Sequence, residues 1–275
     1  VVEKRRSESP ALVVFRDGKK IYVKLPSDGS SWLGTILHAK NELHYRATTN
    51  ERYVPLEKLV VRISAGVATG RDNVFIVLRR LLPPELEPFA YPTVSGKELG
   101  MFKPGDIIDP NRLPNVILVP YRETGELMNE EEMQSLIKRL KCYRRDLESR
   151  YVVRTSKKPW YAFHEDPLMK DLLRPKILFP DLAREPVFYV DITGSIIPRH
   201  SVYYVVPKHT GLLFRLALYL NSKEAKEFLM QNCQRAANGY LRLQSHVLKK
   251  LPIPEDLLTE AHVKEELAQW IKTKK

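Results

Sequence analysis

Residues 174–206 read RPKILFPDLAREPVFYVDITGSIIPRHSVYYVV, and this stretch decides the predicted fold. It carries three short runs rich in β-branched and aromatic residues, at 176–179, 187–192 and 202–206. Segments that contain proline, glycine, aspartate, serine and arginine separate the runs. Such a pattern is typical of β-strands joined by turns. The stretch therefore predicts the framework of a β-sheet.

Three basic side chains of this stretch fall in the predicted turns rather than on a strand face: Arg184, Arg199 and His200. A rigid sheet that presents basic loops is suited to binding. The whole chain has 45 lysine and arginine residues against 33 acidic residues, which is a formal net charge of +12. This excess favours an anionic partner, with nucleic acid as the first expectation and a membrane surface as the second.

The composition also excludes some classes of protein. With 275 residues, 43% of them hydrophobic, the chain can bury a substantial core. Its longest apolar run, 212–220, is interrupted by Arg215 and is far shorter than the ~20 residues of a membrane-spanning helix. Cys142 and Cys233 lie far apart, which argues against a zinc site and suits a reducing compartment. The N-terminus has no secretory pattern, so we expect a cytoplasmic protein, and the start at Val1 is consistent with a piece of a longer one.

Further elements are predicted on both sides of the central stretch. Residues 11–15 and 20–25 flank an Asp-Gly pair and predict a β-hairpin. Other strands are predicted at 59–63, 74–78, 116–119 and 241–254. Helices are predicted from Trp32 and at 129–150, 212–220, 223–233 and 255–271, with Ser222 as a cap. Residues 83–110 are rich in proline and glycine and predict an exposed, irregular connection.

The loop predicted between two strands, at 64–73, has a composition suited to ligand contact. It contains two glycines together with Thr69, Arg71 and Asn73. Glycine lets a backbone approach a ligand closely, and here the second glycine is Gly70. An ordinary hairpin loop is the alternative interpretation, because a single glycine-rich loop is weak evidence of a site.

The predicted helix at 129–150 and the segment after it are strongly basic. Nine cations stand against two acidic residues between 138 and 158: Lys138, Arg139, Lys141, Arg144, Arg145, Arg150, Arg154, Lys157 and Lys158. Such a cluster dominates the local field, although a solvated helix face is the alternative. The sequence KKPWY at 157–161 interleaves cations with aromatic rings, as nucleic-acid contacts do. Trp160 is equally interpretable as a core anchor.

Catalytic motifs are absent from the sequence. It has no HExxH, GxSxG or GxGxxG pattern. Pro180 and Asp181, followed much later by Glu224 and Lys226, superficially resemble a metal-dependent nuclease motif. We reject that reading, because Glu224 and Lys226 fall on a predicted surface helix, where they would not face an acid mounted on a sheet.

Several of these stretches, in this order and spacing, resemble the TaqI-like specificity domain, the target-recognition part of adenine-specific DNA methyltransferases in restriction-modification systems. The matching pieces are GVATGRDNVFIV at 66–77, DLESRY at 146–151, KKPWYAF at 157–163, RPKILFPDLAREPVF at 174–188, YLNSKEAKEFL at 219–229 and NGYLRLQSHVLKKLPIP at 238–254. The last piece is also similar to a closing motif of type I specificity subunits. The likeness covers roughly residues 59–254.

The resemblance implies an α+β fold: a mixed β-sheet target-recognition domain with flanking helices and a helical C-terminal part, similar to type I specificity-subunit domains. It implies three parts, namely a hairpin and linker at 1–58, the recognition domain at 59–254 and a C-terminal helix at 255–275. The family pairs such a domain with a methylating domain that uses S-adenosylmethionine and extrudes the target adenine. The adenine-binding Asn-Pro-Pro-aromatic motif is absent, because Leu82 precedes and Glu85 follows the only Pro-Pro pair. We therefore expect no cofactor in this chain and a catalytic part elsewhere, with or without a fused endonuclease.

Three functions remain open from the sequence, the third of which is a nuclease or methyltransferase in its own right. The first is sequence-specific binding of double-stranded DNA. In it, phosphates are contacted by Lys157, Lys158, Arg174 and Lys176, with Trp160 beside them. Base edges are approached by Thr69, Gly70, Arg71, Asn73, Arg184, Arg199 and His200. Arginine pairs with guanine and asparagine with adenine, which favours Arg71 and Asn73 as readers. The second function is that of a protein-interaction module, a specificity subunit that docks a separate catalytic subunit.

Overall fold

A computed structural model describes residues 2–3, 11–14, 20–23, 53–255 and 257. In chain order, the strands are β1 (Val2–Glu3), β2 (Ala11–Val14), β3 (Lys20–Val23), β4 (Tyr53–Pro55), β5 (Val60–Ala65), β6 (Ile76–Leu78), β7 (Ala90–Val94), β8 (Asn115–Leu118), β9 (Lys176–Pro180), β10 (Leu182–Ala183), β11 (Tyr189–Asp191), β12 (Ile197–Pro198), β13 (Val202–Pro207), β14 (Gln234–Arg235), β15 (Leu241–Arg242) and β16 (Pro252–Pro254). The helices are α1 (Asp72–Phe75), α2 (Gly96–Leu99), α3 (Gln134–Lys141), α4 (Arg144–Glu148), α5 (Tyr151–Ser156), α6 (Met169–Leu172), α7 (Leu213–Leu220), α8 (Lys223–Asn232) and α9 (Ser245–Lys249). Several small sheets with flanking helices confirm the predicted α+β class.

The three runs of the central stretch form neighbouring strands, as predicted. They are β11, β9 and β13, and together with β5 they make an antiparallel sheet in the order β11-β9-β13-β5. Every residue of β9 is buried, because apolar cores cover both faces of the sheet. Leu178 faces one core, whereas its neighbours Ile177 and Phe179 face the other, as the two-residue period of a strand requires.

The first core contains a second sheet, in the order β12-β7-β8-β6. Its strand β7 lies in the segment 83–110, so the prediction of an exposed, irregular connection is wrong there. Leu86, Val94, Leu99 and Ile108 of this segment are buried. Pro83, Pro84 and Pro110 lie where 3-10 turns begin, whereas Pro88 lies inside such a turn and Pro92 within β7, so the prolines do not keep the segment out of the core.

The predicted strand 74–78 is also corrected, because its first half is helical. The turn α1 runs to Phe75 before β6 begins. The carbonyl of Arg71 accepts hydrogen bonds from the backbone N–H groups of Val74 (3.0 Å) and Phe75 (3.3 Å). Val74 and Phe75 are both fully buried, so their apolar character reflects burial in a helical turn rather than a strand.

The predicted helix at 129–150 has the expected capping hydrogen bonds before it, but it begins only at Gln134 and is broken. Asn129 and Glu132 form the reciprocal cap, each backbone N–H donating to the other side chain at 2.9 Å. The chain then forms α3, α4 and α5 in place of one helix. The break before α5 falls at Arg150, whose extended backbone (φ −62°, ψ 139°) cannot continue a helix.

The second core is covered by the C-terminal helices. The helices α7 and α8 confirm the two predicted helices, and the Ser222 side chain caps α8 by accepting a hydrogen bond from Ala225 N at 3.2 Å. The predicted strand 241–254 is instead β15, α9 and β16. Its apolar residues include Val247, Leu248 and Leu251, which are buried at helical spacing, and this explains the misreading.

The ends of the chain are described in part. The N-terminal hairpin is confirmed, with β2 and β3 antiparallel and Ala11 opposite Val23. The strand β4 pairs with β16, and thereby joins residues before 58 to residues near 254. The predicted helices from Trp32 and at 255–271 lie outside the described residues. Among the described residues, no helix has the length and hydrophobicity needed to cross a membrane.

Candidate nucleic-acid interface

The loop between β5 and α1 packs closely against the turn between β12 and β13. Gly66 N donates to Val202 O (2.8 Å), Val67 N to Pro198 O (2.8 Å), and His200 N to Val67 O (2.9 Å). A Cβ atom on Gly66 would lie 2.3 Å from the carbonyl oxygen of Pro198, so only glycine fits. The close backbone approach that glycine permits is thus used, at this position, to join two loops of the protein itself.

The second half of the loop is held by the buried side chain of Arg150. Its guanidinium donates to the carbonyl oxygens of Leu147 (3.0 Å), Thr69 (2.8 Å) and Trp160 (2.6 Å). Burial lowers the pKa of Arg150, and the nearby Arg71 cation adds to this, but an arginine remains protonated. These contacts, here called the Arg150 brace, connect three separate chain segments.

Thr69 and Gly70 complete the loop's attachment. Thr69 is fully buried, where its hydroxyl donates to Asp72 Oδ1 (2.5 Å) and accepts from Arg71 N (3.1 Å). Gly70 has a positive φ of 75°, and a Cβ atom there would lie 3.1 Å from the Cβ atom of His164. The predicted base contact by the Thr69 side chain is therefore incompatible with its burial, and Thr69 instead shapes the loop.

The two predicted base readers of this loop are accessible. Asn73 is exposed, and Arg71 is half-buried. The Arg71 guanidinium donates to Ser149 Oγ at 3.4 Å and to Gly70 O at 3.5 Å. Both contacts are long and lie at the surface, so they leave the guanidinium able to turn towards a ligand.

The neighbouring turn places one basic side chain inward and one outward. Arg199 forms an ion pair with Glu98, in which the two side chains are only 15% and 13% exposed. Burial acts to raise the pKa of Glu98, but hydrogen bonds from Ser95 and Asn115, together with the Arg199 cation, lower it overall. A base contact by Arg199 would require it to leave this carboxylate. His200 is exposed beside it.

The predicted phosphate-contacting segment divides in the same way. Lys157 is exposed and has a left-handed backbone (φ 53°), whereas Lys158 forms a 2.8 Å ion pair with Asp166. Trp160 is 8% exposed and donates from Nε1 to Glu130 at 3.1 Å. This burial agrees with the alternative interpretation of Trp160 as a core anchor.

The phosphate contact predicted for Lys176 is incompatible with the structure. Its side chain is fully buried, and Nζ donates to Asp191 Oδ2 (2.6 Å) and to the carbonyl oxygens of Leu172 (2.6 Å) and Gly194 (3.3 Å). Burial lowers the pKa of Lys176, although Asp191 opposes this. Arg174, in contrast, is half-buried and donates to Pro207 O at 3.3 Å.

Arg184 belongs to a different part of the fold. It is exposed, lies 5.7 Å from the ring centre of Tyr240, and follows β10 in the small sheet β10-β15-β14. The structure thus brings together the loop at 66–73, the Arg150 brace and the turn at 198–201, whereas Arg184 stands on a separate sheet. Arg150, Glu98 and His164 were not predicted as site residues. The DLESRY stretch was the available signal for Arg150.

Exposed cations lie along the chain on both sides of Arg150. Six members of the basic cluster are exposed: Lys138, Lys141, Arg144, Arg145, Arg154 and Lys157. Among them, Arg144 pairs with Glu148 at 2.7 Å. The basic cluster is thus mostly a solvent-facing surface, with Arg150 as its buried member.

Part of this chain matches a known family. Residues 138–253 match the model of the TaqI-like C-terminal specificity domain. The type II methyltransferase M.BstVI of Geobacillus stearothermophilus is 25% identical over 195 residues, which are 70% of this chain and 33% of that protein. The type II methyltransferase M.PaeR7I of Pseudomonas aeruginosa is 26% identical over 215 residues, 78% of this chain and 36% of that protein. The family predicted from the sequence is therefore confirmed over residues 138–253.

A solved structure shares the fold over most of the chain. The type IIG restriction endonuclease BpuSI superposes with a TM-score of 0.51 over 88% of this chain and 29% of that chain, at 12% identity. The chain spans about a third of the length of the curated relatives that it matches. The loop at 66–73 lies outside the residues matched by the family model, although it packs against them through Arg150.

Proposed function

We propose that the TaqI-like specificity domain at residues 138–253, together with the loop at 66–73, recognises a short sequence in double-stranded DNA. It would do so for an adenine-specific, S-adenosylmethionine-dependent DNA methyltransferase of a restriction-modification system, acting in the cytoplasm. The proposal extends the recognition domain over residues 59–254, with a linker at 1–58 and a helix at 255–275. Methylation itself belongs to a catalytic part outside this chain.

The observation that carries the proposal is the rigid attachment of an accessible loop. Reading a base pair requires a donor held in register with the base edges, because each hydrogen bond is directional. The Arg150 brace and the backbone contacts of Gly66 and Val67 hold the loop at both ends. Arg71 and Asn73 extend from the held loop, and His200 extends from the turn packed against it.

Phosphate contacts are assigned to a subset of the predicted cations. Lys157 is exposed, and Lys158 and Arg174 are half-buried. All three side chains can contact the phosphate backbone of DNA if they rearrange locally, and Lys158 must then leave Asp166. Arg184 is exposed on its own small sheet and can contact DNA only where the duplex extends that far. Phosphate contacts position a protein on DNA, whereas base contacts select the sequence.

Two substitutions test this division of roles. Lys157→Ala should weaken binding to all duplexes and reduce the slope of log affinity against log salt by about 0.9. Arg71→Ala should cost about 1–3 kcal/mol at one base pair of the preferred sequence and leave nonspecific affinity nearly unchanged. The measurement is a titration of randomised and selected duplexes at several salt concentrations. Equal losses on all duplexes from both variants would reject the proposal.

Docking on a separate catalytic subunit is the second candidate. The observation that favours it is the absence of catalytic motifs from this sequence, although the relatives that it matches are methyltransferases. A docking module would bind duplexes weakly, with an affinity that falls steeply with salt and does not depend on sequence. Saturable binding of S-adenosylmethionine to this chain, measured by calorimetry, would contradict both candidates, because both place the cofactor site elsewhere.

A further inference from the structure

The side chain of Tyr151 is unusually exposed for an aromatic residue. It is 77% exposed, the highest value among the large hydrophobic side chains of residues 53–255. The ring therefore contributes almost nothing to either core. Tyrosine at a surface is typical of interfaces, because its ring offers a large contact area and its hydroxyl tolerates water.

The position of Tyr151 connects it to the recognition loop. It directly follows Arg150, whose guanidinium holds Thr69 O. Ser149, the residue before Arg150, accepts a hydrogen bond from the guanidinium of Arg71. The backbone at 149–151 thus lies beside the loop, and the buried Arg150 side chain fixes its course.

One cation, Arg154, shares the face of α5 on which Tyr151 lies. Residues three and four apart occupy one side of a helix, which places Arg154 and Thr155 next to Tyr151. Both are exposed, whereas Val152 on the opposite side is buried. Lys157, at the end of the helix, is also exposed. An aromatic ring beside a cation is the chemistry that holds a nucleotide, with the base on the ring and the phosphate on the cation.

We infer that Tyr151 contacts DNA directly and that its ring stacks on a base at a position where the duplex is opened. The inference rests on the proposed function. A methyltransferase that extrudes its target base leaves a gap and an unpartnered base in the stack. An aromatic ring carried beside the recognition loop can cover such a base, since every base presents a π-face.

The experiment compares an opened duplex with a fully paired one. Two labelled duplexes of the same sequence are used, one of which carries a single abasic position. Fluorescence anisotropy of the full chain then gives both affinities for the wild type, Tyr151→Ala and Tyr151→Phe. Leu81→Ala is the matched control, because Leu81 is 63% exposed in a 3-10 turn that Arg79 ties to Pro110 and Leu113.

We expect the wild type to prefer the opened duplex. Tyr151→Ala should lose on the order of tenfold in affinity for it, with a much smaller loss on the paired duplex. Tyr151→Phe should retain the preference, since the ring remains, and Leu81→Ala should match the wild type. All variants should melt at the wild-type temperature, because neither side chain is in a core.

Each other result has a distinct meaning. If Tyr151→Ala binds both duplexes like the wild type, the inference is overturned and the proposed function stands. If Tyr151→Ala and Tyr151→Phe lose equally on both duplexes, the hydroxyl contacts the backbone and stacking is refuted. If the wild type binds neither duplex at moderate salt, the proposed function fails, and the inference fails with it.

Discussion

Two buried cations hold this fold together, and they do so in different ways. The side chain of Lys176 extends from the start of β9 towards the turn after β11, where it donates to the Asp191 carboxylate as well as to carbonyl oxygens. Arg150 meets only neutral carbonyl oxygens. Lys176 therefore belongs to a charge-balanced ion pair. Arg150 positions the recognition loop through hydrogen bonds to carbonyl oxygens and forms no ion pair with a carboxylate among the described residues.

The contrast predicts different costs of disruption. Removing one member of a buried ion pair leaves a buried charge without its counter-ion, which costs far more than the pair contributes. Removing Arg150 leaves no charge behind, only carbonyl groups without donors. The loss of DNA binding should be larger for the Arg150 variant than for the Asp191 variant. Of the two buried cations, Arg150 is the one that contacts the loop at 66–73.

The largest loss of stability is expected from Asp191→Ala. The carboxylate also accepts hydrogen bonds from Thr193, Gly194 N and Ile196 N, so the turn loses its organiser as well. We expect the free energy of unfolding to fall by about 3–5 kcal/mol, measured by urea denaturation. Glu148→Ala breaks the exposed pair with Arg144 and should cost less than about 1 kcal/mol.

A double variant, Lys176→Met with Asp191→Leu, sharpens this prediction. Apolar residues of similar size can replace a buried ion pair with little loss. The double variant should therefore be more stable than Asp191→Ala alone. A double variant that is less stable than the single one would show that the hydrogen bonds from Lys176 Nζ to the carbonyl oxygens of Leu172 and Gly194 outweigh the cost of leaving its ammonium without a counter-ion.

Arg150→Met is expected to cost about 2–3 kcal/mol of unfolding free energy, since three buried carbonyl oxygens lose a charged donor. In contrast with Asp191→Ala, it should also reduce discrimination between duplex sequences, because Thr69 O and Trp160 O are no longer tied to one guanidinium. Denaturation and duplex titration measure the two effects. Arg145→Met is the control, because it removes an exposed cation from the neighbouring helix α4.

A glycine substitution tests how tightly the Arg150 brace fixes the loop. Gly70 and Gly239 have nearly the same φ, 75° and 76°, but a Cβ atom would meet His164 at 3.1 Å only in the first case and nothing within 4 Å in the second. Alanine in a left-handed conformation costs about 1–2 kcal/mol. Gly70→Ala should therefore cost this much plus the crowding term, and more than Gly239→Ala in thermal melts. Equal costs would mean that the loop yields easily.

The central sheet was predictable because its strands are apolar and separated by clear turns. The helical turn α1 was missed because it is only four residues long, so that local apolar character does not distinguish helix from strand. The strand β7 was missed because Pro92 lies within it, and proline is typical of irregular segments. Among the site residues, the prediction of a loop or turn was correct for Arg71 and His200, whereas Asn73 lies in the helical turn α1. Burial was not, because Lys176 and Thr69 are polar residues whose partners, Asp191 and Asp72, become visible only in three dimensions.

The smallest effect concerns the half-buried pair of Arg199 and Glu98, which is intermediate between the two buried cations. The pKa of Glu98 lies below its ordinary value of 4.5, so its ionised form stabilises the fold. This contribution is fully present above about pH 4.5 and is lost as the pH falls through the lower, folded-state pKa. Glu98→Gln should thus cost about 1 kcal/mol at neutral pH.

The same variant should approach the stability of the wild type in acid, because protonated Glu98 and glutamine are alike in charge. Urea denaturation of both proteins at pH 7 and at about pH 3 measures the difference. Glu131→Gln, at an exposed position, corrects for the general change in charge. A gap between wild type and Glu98→Gln that persists unchanged in acid would mean that shape, not charge, holds Arg199. In that case, moving Arg199 away from Glu98 towards DNA would cost no ion-pair energy.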